Sequence, residues 1–247
     1  MAMQNIYDNE TFFEGYRKIR ENKMNANTVF EIPALFSQLP DLHGKTVLDL
    51  GCGFGEHCSE YVKMGAERVT GIDISEKMLE VARKENSDPK IEYLMMPMEN
   101  LATLDLKADV VISSLAFHYV QDFSDVIKAV HALLADGGVF VFSQENPLCT
   151  CHSGGDRWTR DENGNKLYLN LKDYSVEGER SSTWFVENVQ KYHRMFSTIV
   201  NTLIESGFCI EKMIEPVPDK ALLAKYPQFK DLSFKPDFLI IRAKKTA

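Results

Sequence analysis

A buried strand that breaks into alternating glycines leaves a chain few ways to fold. Val47-Leu48-Asp49-Leu50 reads as such a strand, and Gly51-Cys52-Gly53-Phe54-Gly55 as the turn at its end. Glycines at alternate positions let the backbone turn sharply and come close to a ligand with no Cβ in the way. Asp73 closes the next strand-like segment. An acidic side chain about 20 residues beyond a glycine turn is placed to accept hydrogen bonds from ribose hydroxyls. The pattern predicts a nucleoside-containing cofactor held at the edge of an α/β sheet.

The segments that follow repeat the alternation. Short apolar strands are predicted over 46–50, 68–72, 91–95, 109–113 and 139–142, separated by helical stretches. In the helix after Asp122, Val126, Ile127, Val130, Leu133 and Leu134 form one apolar stripe, and Asp136-Gly137-Gly138 stops it. Strands alternating with helices imply a mostly parallel sheet with right-handed crossovers, covered on both faces. The predicted fold is α/β, a Rossmann-like, doubly wound, mostly parallel seven-stranded sheet.

The flanks depart from this rhythm. Residues 1–43 read as an aromatic-rich helical cap with Phe12, Phe13, Tyr16 and Phe30, and residues 44–145 as the cofactor-binding core. Residues 146–194 break the alternation with Gly154-Gly155, Asn163-Gly164-Asn165 and Glu177-Gly178 between aromatic residues, which predicts an inserted substrate lid after the fifth strand. Asn163-Gly164 is its hairpin signal. Residues 195–247 return to the core with a helix and two final strands.

A formal net charge of -8 argues against a nucleic-acid partner, because phosphate neutralisation needs a basic face. No apolar run approaches a membrane span, and Met1 to Glu10 lack a basic-then-apolar signal, so the expected setting is cytoplasmic, without a membrane partner, as a monomer or homodimer. The five cysteines sit in apolar or loop contexts that suit reduced thiols.

Glycine spacing narrows the cofactor. Nicotinamide and flavin folds use G-x-G-x-x-G to bring a helix N-terminus to a pyrophosphate. Here the spacing is Gly51-x-Gly53-x-Gly55, and Glu56 follows, a carboxylate that would repel a pyrophosphate. With Gly71-Ile72-Asp73-Ile74-Ser75, the segment Asp109 to Val120 and the run Leu134 to Phe142, the chain resembles the class I S-adenosylmethionine-dependent methyltransferases. The resemblance is close from about Gly44 to Phe142 and implies S-adenosyl-L-methionine as cofactor, no metal, and a small-molecule methyl acceptor. An NAD(P)-dependent oxidoreductase and a non-catalytic cofactor-binding module are the alternatives.

The resemblance also implies roles for particular residues. Gly51, Gly53 and Gly55 would carry the loop along the methionine portion, Asp49 would orient the methionine amino group, and Cys52 and Ser114 are further cofactor-binding candidates. Asp73 would hold the ribose hydroxyls and Ile74 would pack on adenine. Pro97, where relatives often carry Asp, has no N–H to give, so the Met98 N–H and the Glu99 carboxylate become the adenine-edge candidates. Tyr7, Tyr16 and Arg17 are candidates near the methionine carboxylate. Without a ligand, Asp49 reads as a loop-bonding residue, and Asp73 as a helix cap shared with Ser75.

His118 follows the fourth strand where open α/β sheets bind ligands, and reads either as a proton acceptor for the substrate or as a packing residue of the methionine pocket. His193 is a second, weaker catalytic candidate. Tyr119, Trp184, Tyr192 and Arg194 are the substrate-binding candidates, with a solvated helix start as the plain reading of 191–194. Cys149, Cys151 and His152 lack a second pair at zinc-ligand spacing and read as thiols of the lid.

Overall fold

The computed structural model describes residues 4–246; residues 1–3, counted with the N-terminal cap, and residue 247 lie outside the described residues. The cap begins with α1 (Glu10–Glu21), capped by the Asn9 side chain, which accepts the Phe12 N–H. A π-helical turn (Asn27–Glu31) runs into the short α2 (Ile32–Phe36). The core then alternates β1 (Thr46–Leu50), α3 (Glu56–Lys63), β2 (Arg68–Asp73), α4 (Glu76–Glu85), β3 (Ile91–Met95) and β4 (Ala108–Ser113). It continues through α5 (Phe123–Leu133) to β5 (Leu134–Glu145).

Beyond β5 lie α6 (Pro147–Thr150) and two hairpins, β6 (Trp158–Arg160) with β7 (Lys166–Leu169), and β8 (Gly178–Trp184) with β9 (Val186–His193). The chain ends with α7 (Phe196–Glu205), β10 (Phe208–Ile214), α8 (Lys220–Lys225) and β11 (Phe238–Lys245). The seven-stranded sheet has the order β10-β11-β5-β4-β1-β2-β3. Its strands β1 to β5 are parallel, and only β11 runs antiparallel to both neighbours. The expected Rossmann-like, mostly parallel sheet is the observed one.

Period-two alternation explains why both faces are covered. Leu48, Leu50, Phe140, Phe142, Leu239 and Ile241 point to the face that α5 and α7 cover. Val47, Val141 and Ile240, one residue out of step, point to the face covered by α2 and α3. Continuous apolar strands are the consequence. Order reverses between β1 and β4, so the crevice beyond their C-terminal ends is the natural ligand position.

One expectation needs correction. Asp136-Gly137-Gly138 does not separate helix from strand; it lies inside β5, which starts at Leu134. The pairing with β4 is irregular between Ala108 and Val110, and Gly137 takes φ 72°, so the strand absorbs the turn as a bulge. The Asn163-Gly164 hairpin forms as expected, with the Asp161 carboxylate accepting the Asn163 and Asn165 N–H groups. The β8–β9 hairpin carried no such signal. It turns at Phe185, a non-glycine residue at φ 59°.

Leu48 is fully buried at the centre of the sheet. Leu48→Ala is expected to lower unfolding free energy by roughly 2–5 kcal/mol, through lost transfer energy and a residual cavity. Leu167→Ala, on an exposed position of β7, is expected to stay within about 0.5 kcal/mol of wild type. Urea denaturation of both variants checks the contrast.

Candidate active site

The glycine turn is built by left-handed backbone. Gly51, Gly53 and Gly55 take φ values of 72°, 55° and 74°, which residues with a Cβ adopt at a cost. A Cβ on Gly51 would lie 2.6 Å from the Ala116 Cβ, whereas Gly53 faces open space. The loops after β1 and β2 are joined through Asp73: its Oδ2 accepts the Gly53 N–H at 2.8 Å and its Oδ1 the Ser75 N–H at 2.9 Å. An ionised carboxylate has about four lone-pair sites, so two remain for a ligand. Burial raises the Asp73 pKa to about 6, against the pull of these N–H donors.

A cavity of about 520 Å³ opens over this turn. Gly51, Gly53, Asp73, Ile74, Met98, Glu99 and Ser114 line it, together with His118, Tyr119, Trp184 and Tyr192. The structure thus brings together these eleven predicted residues, from the ends of β1, β2 and β4, the turn after β3 and the lid, with Tyr7 and Tyr16 of the cap. Met98 opens a 3₁₀ turn, so its N–H has no partner within that turn.

Other candidates lie elsewhere. Asp49 sits behind the loop, fully shielded from the cavity; its Oδ2 accepts a hydrogen bond from the Cys58 thiol at 3.3 Å, and burial pushes its pKa up to about 7. Cys52 and Gly55 also face inward, Gly55 against the Tyr93 hydroxyl. His193, expected as a catalytic candidate, is buried with both ring nitrogens engaged. Nδ1 accepts from the Thr150 hydroxyl at 2.9 Å, and Nε2–H donates to the Tyr174 carbonyl at 2.8 Å. Arg194, expected to meet substrate, instead donates to the Phe117, Val120 and Gln121 carbonyls and so holds the loop that carries His118 and Tyr119.

Arg17 points outward to Glu21 and Glu85. One turn further along α1, Arg20 lines the cavity with Tyr16 and Ile19, and pairs with Glu56 at the start of α3. The helical spacing of Tyr16, Ile19 and Arg20 carried this signal. Glu31 carries no motif or spacing signal in the sequence. Fully buried in the π-helical turn, it accepts hydrogen bonds from Ser114 Oγ at 2.9 Å and Ser143 Oγ at 2.5 Å, which tie the cap to the sheet edge.

The roof is a clasp between cap and lid. Trp184 and Phe185 pack edge-on against Phe12, and a Cβ on Gly15 would lie 2.5 Å from the Phe185 ring. The Gln4 side chain bonds the Asn188 carbonyl and the Gln190 N–H. Cys149 turns to Lys235 and Asp237, Cys151 to the Leu148 carbonyl and His152 to the Gly155 carbonyl. Among the described residues no three His, Cys, Asp or Glu side chains converge as a metal site, and no helix is long and apolar enough to cross a membrane.

Comparison with known proteins agrees with this geometry. A family model described as a methyltransferase domain matches residues 48–142. A crystal structure of an S-adenosylmethionine-dependent methyltransferase from Mesorhizobium loti aligns with a TM-score of 0.80 and 37% identity, over 90% of this chain and 99% of that one. A crystal structure from Listeria monocytogenes, assigned to the same class of enzymes, aligns at 0.81 and 41% identity over 88% and 97%. A Haemophilus influenzae protein without an assigned activity is 42% identical over 250 residues, 97% of this chain and 96% of its own.

The raised pKa of Asp49 has a stability consequence. Its folded value, about 7, lies above the usual carboxylate value of 3.8, so the folded state binds more protons between those pH values. Ionising it therefore costs stability as pH rises through that window. Asp49→Asn, which keeps an oxygen for Cys58, is expected to gain stability relative to wild type from pH 5 to pH 8. Thermal unfolding midpoints of both proteins across that range check the sign.

Proposed function

This chain belongs to the class I S-adenosylmethionine-dependent methyltransferase family, whose cofactor is S-adenosyl-L-methionine, and we propose that it methylates a small molecule enclosed beneath the β8–β9 hairpin. The observation that carries the small-molecule reading is the roof. Phe12, Trp184 and Phe185 close the cap onto the lid over a cavity of about 520 Å³, within the range of roughly 300–1,000 Å³ usual for small ligands. A protein or nucleic-acid acceptor would need an open face instead.

When bound, the cofactor supplies a methyl group already activated on a sulfonium. In this reading Asp73 receives both ribose hydroxyls on its remaining lone pairs, and Ile74 covers one adenine face. The Met98 N–H and Glu99 meet the adenine edge, and Arg20 faces the methionine carboxylate. Gly51 and Gly53 let the backbone approach, and Ser114, held by Glu31, sets the position of the loop after β4. The acceptor lies among His118, Tyr119, Trp184 and Tyr192. The protein's contribution is alignment of the acceptor atom with the methyl carbon and exclusion of water, and alignment alone supplies about 7–11 kcal/mol in well-arranged systems.

Asp73→Ala is expected to raise the dissociation constant for S-adenosylhomocysteine by at least tenfold, since each charge-assisted hydrogen bond contributes roughly 1.5–3 kcal/mol. In wild type, binding is expected to weaken as pH falls below about 6, where the carboxyl takes up a proton. Calorimetric titrations from pH 5 to 8 measure both effects, and a flat profile with an unaffected variant would remove Asp73 from the ribose site. Transfer of labelled methyl groups to a panel of small acceptors tests the reaction. Tight cofactor binding with no turnover on any of them would favour the non-catalytic module.

A further inference from the structure

The acceptor end of the cavity has a charge and hydrogen-bonding pattern of its own. Outside the cofactor positions two acidic residues line the cavity, Glu145 and Glu179, while the one basic lining residue, Arg20, lies at the cofactor end and is already paired with Glu56. Lys191 is committed to Glu145 Oε1 and lies over the rings of Tyr119 at 5.9 Å and Trp184 at 5.5 Å. An anionic acceptor would meet these carboxylates with no uncommitted cation among the described lining residues. The walls are flat and aromatic: Tyr7, Tyr16, Tyr119 and Trp184. Tyr7 meets Tyr16 and Tyr119 edge-on at 5.3 and 6.0 Å.

His118 has a defined proton position. Its Nδ1 accepts the Glu145 backbone N–H at 3.3 Å, and a neutral imidazole carries one proton, which this bond assigns to Nε2. Facing the ring are the Glu145 carboxylate from β5, Lys191 from β9, Arg194 beyond it, and the Tyr119 ring at 4.3 Å. Burial, helped by Lys191 and Arg194 against the opposite pull of Glu145, pushes the imidazole pKa down to about 4. Among the described residues, neither His118 Nε2 nor Glu145 Oε2 has a hydrogen-bond partner, and both residues line the cavity.

We propose that His118 Nε2–H and Glu145 Oε2 form a donor–acceptor pair that recognises an amide-like edge on a flat, uncharged methyl acceptor, with His118 acting as a donor and not as a general base. A lactam or similar ring edge offers the complement, a carbonyl or ring nitrogen for Nε2–H beside an N–H for the carboxylate. The aromatic walls stack its faces, and the surrounding acids reject a carboxylate or phosphate in its place. Arg194 sets the height of His118 by holding the Phe117 and Val120 carbonyls on either side of it. The inference rests on the methyl-transfer reading of this cavity.

Two measurements on the full chain test it. Imidazole nitrogen-15 spectra, assigned with His118→Gln, are expected to show His118 as the neutral Nε2–H tautomer from pH 5 to 8. An Nδ1–H tautomer, or titration near pH 6.5, would overturn the donor role. Protein saturated with S-adenosylhomocysteine is then titrated with 2-quinolone, quinoline-2-carboxylate and naphthalene. The lactam is expected to bind at least tenfold more tightly than either of the others, and His118→Phe and Glu145→Leu are each expected to abolish that preference. Equal or tighter binding of the carboxylate would overturn the proposal while leaving methyl transfer intact. Failure to bind S-adenosylhomocysteine at all would sink both readings.

Discussion

One carboxylate holds the cofactor edge of this protein together. Asp73 stands at the end of β2 and accepts the N–H of Gly53 from the loop after β1, and that of Ser75 from the turn into α4. Phe54, buried against Phe13 and Met78, and the Gly51 and Cys52 N–H groups, which both donate to the Ile72 carbonyl, hold the first loop in place, and Asp73 fixes its tip to the turn after β2. The left-handed glycines allow the N–H groups to point at the acid. Because burial works against its ionisation, the acid is poised to gain from further donors, which ribose hydroxyls are. Structure and ligand site are here the same set of hydrogen bonds.

The second constraint is how a charged pocket is kept closed. The cap reaches the sheet edge through Glu31 and the hydroxyls of Ser114 and Ser143. It reaches the lid through Phe12, Trp184 and Phe185, which bring α1 over the cavity. Three groups beside the pocket are paired or suppressed: Arg20 with Glu56, Lys191 with Glu145, and His118 held neutral by burial. Burying an unpaired ionic group costs free energy, and this pairing leaves defined donors and acceptors facing the acceptor region.

Much of this was legible in the residues, and the pattern of success is physical. The strands, the glycine turn and Asp73 could be read because each depends on short-range geometry: period-two burial, left-handed backbone, a fixed reach from one strand end to the next. Arg20 faces the cavity and Arg17 does not, because helix phase decides which of the two turns inward, and α1 is phased by contacts with a lid far away in sequence. His193 and Arg194 carry side chains suited to chemistry. Their occupation by Thr150, Tyr174 and three loop carbonyls is a matter of partners that no spacing rule reveals.

By itself, then, the sequence determined the sheet, its cofactor edge and the class of cofactor, since local patterns of apolar, glycine and acidic residues encode backbone path and hydrogen-bond reach. Only the tertiary structure decided which polar side chains are spent on structure and which are left free. It placed Asp49 behind the loop and Arg20 in the cavity, and it set His118 with one nitrogen taken and the other open. Those outcomes depend on partners brought together by long-range packing, because a side chain's chemistry is available to a ligand only where the fold has not already satisfied it.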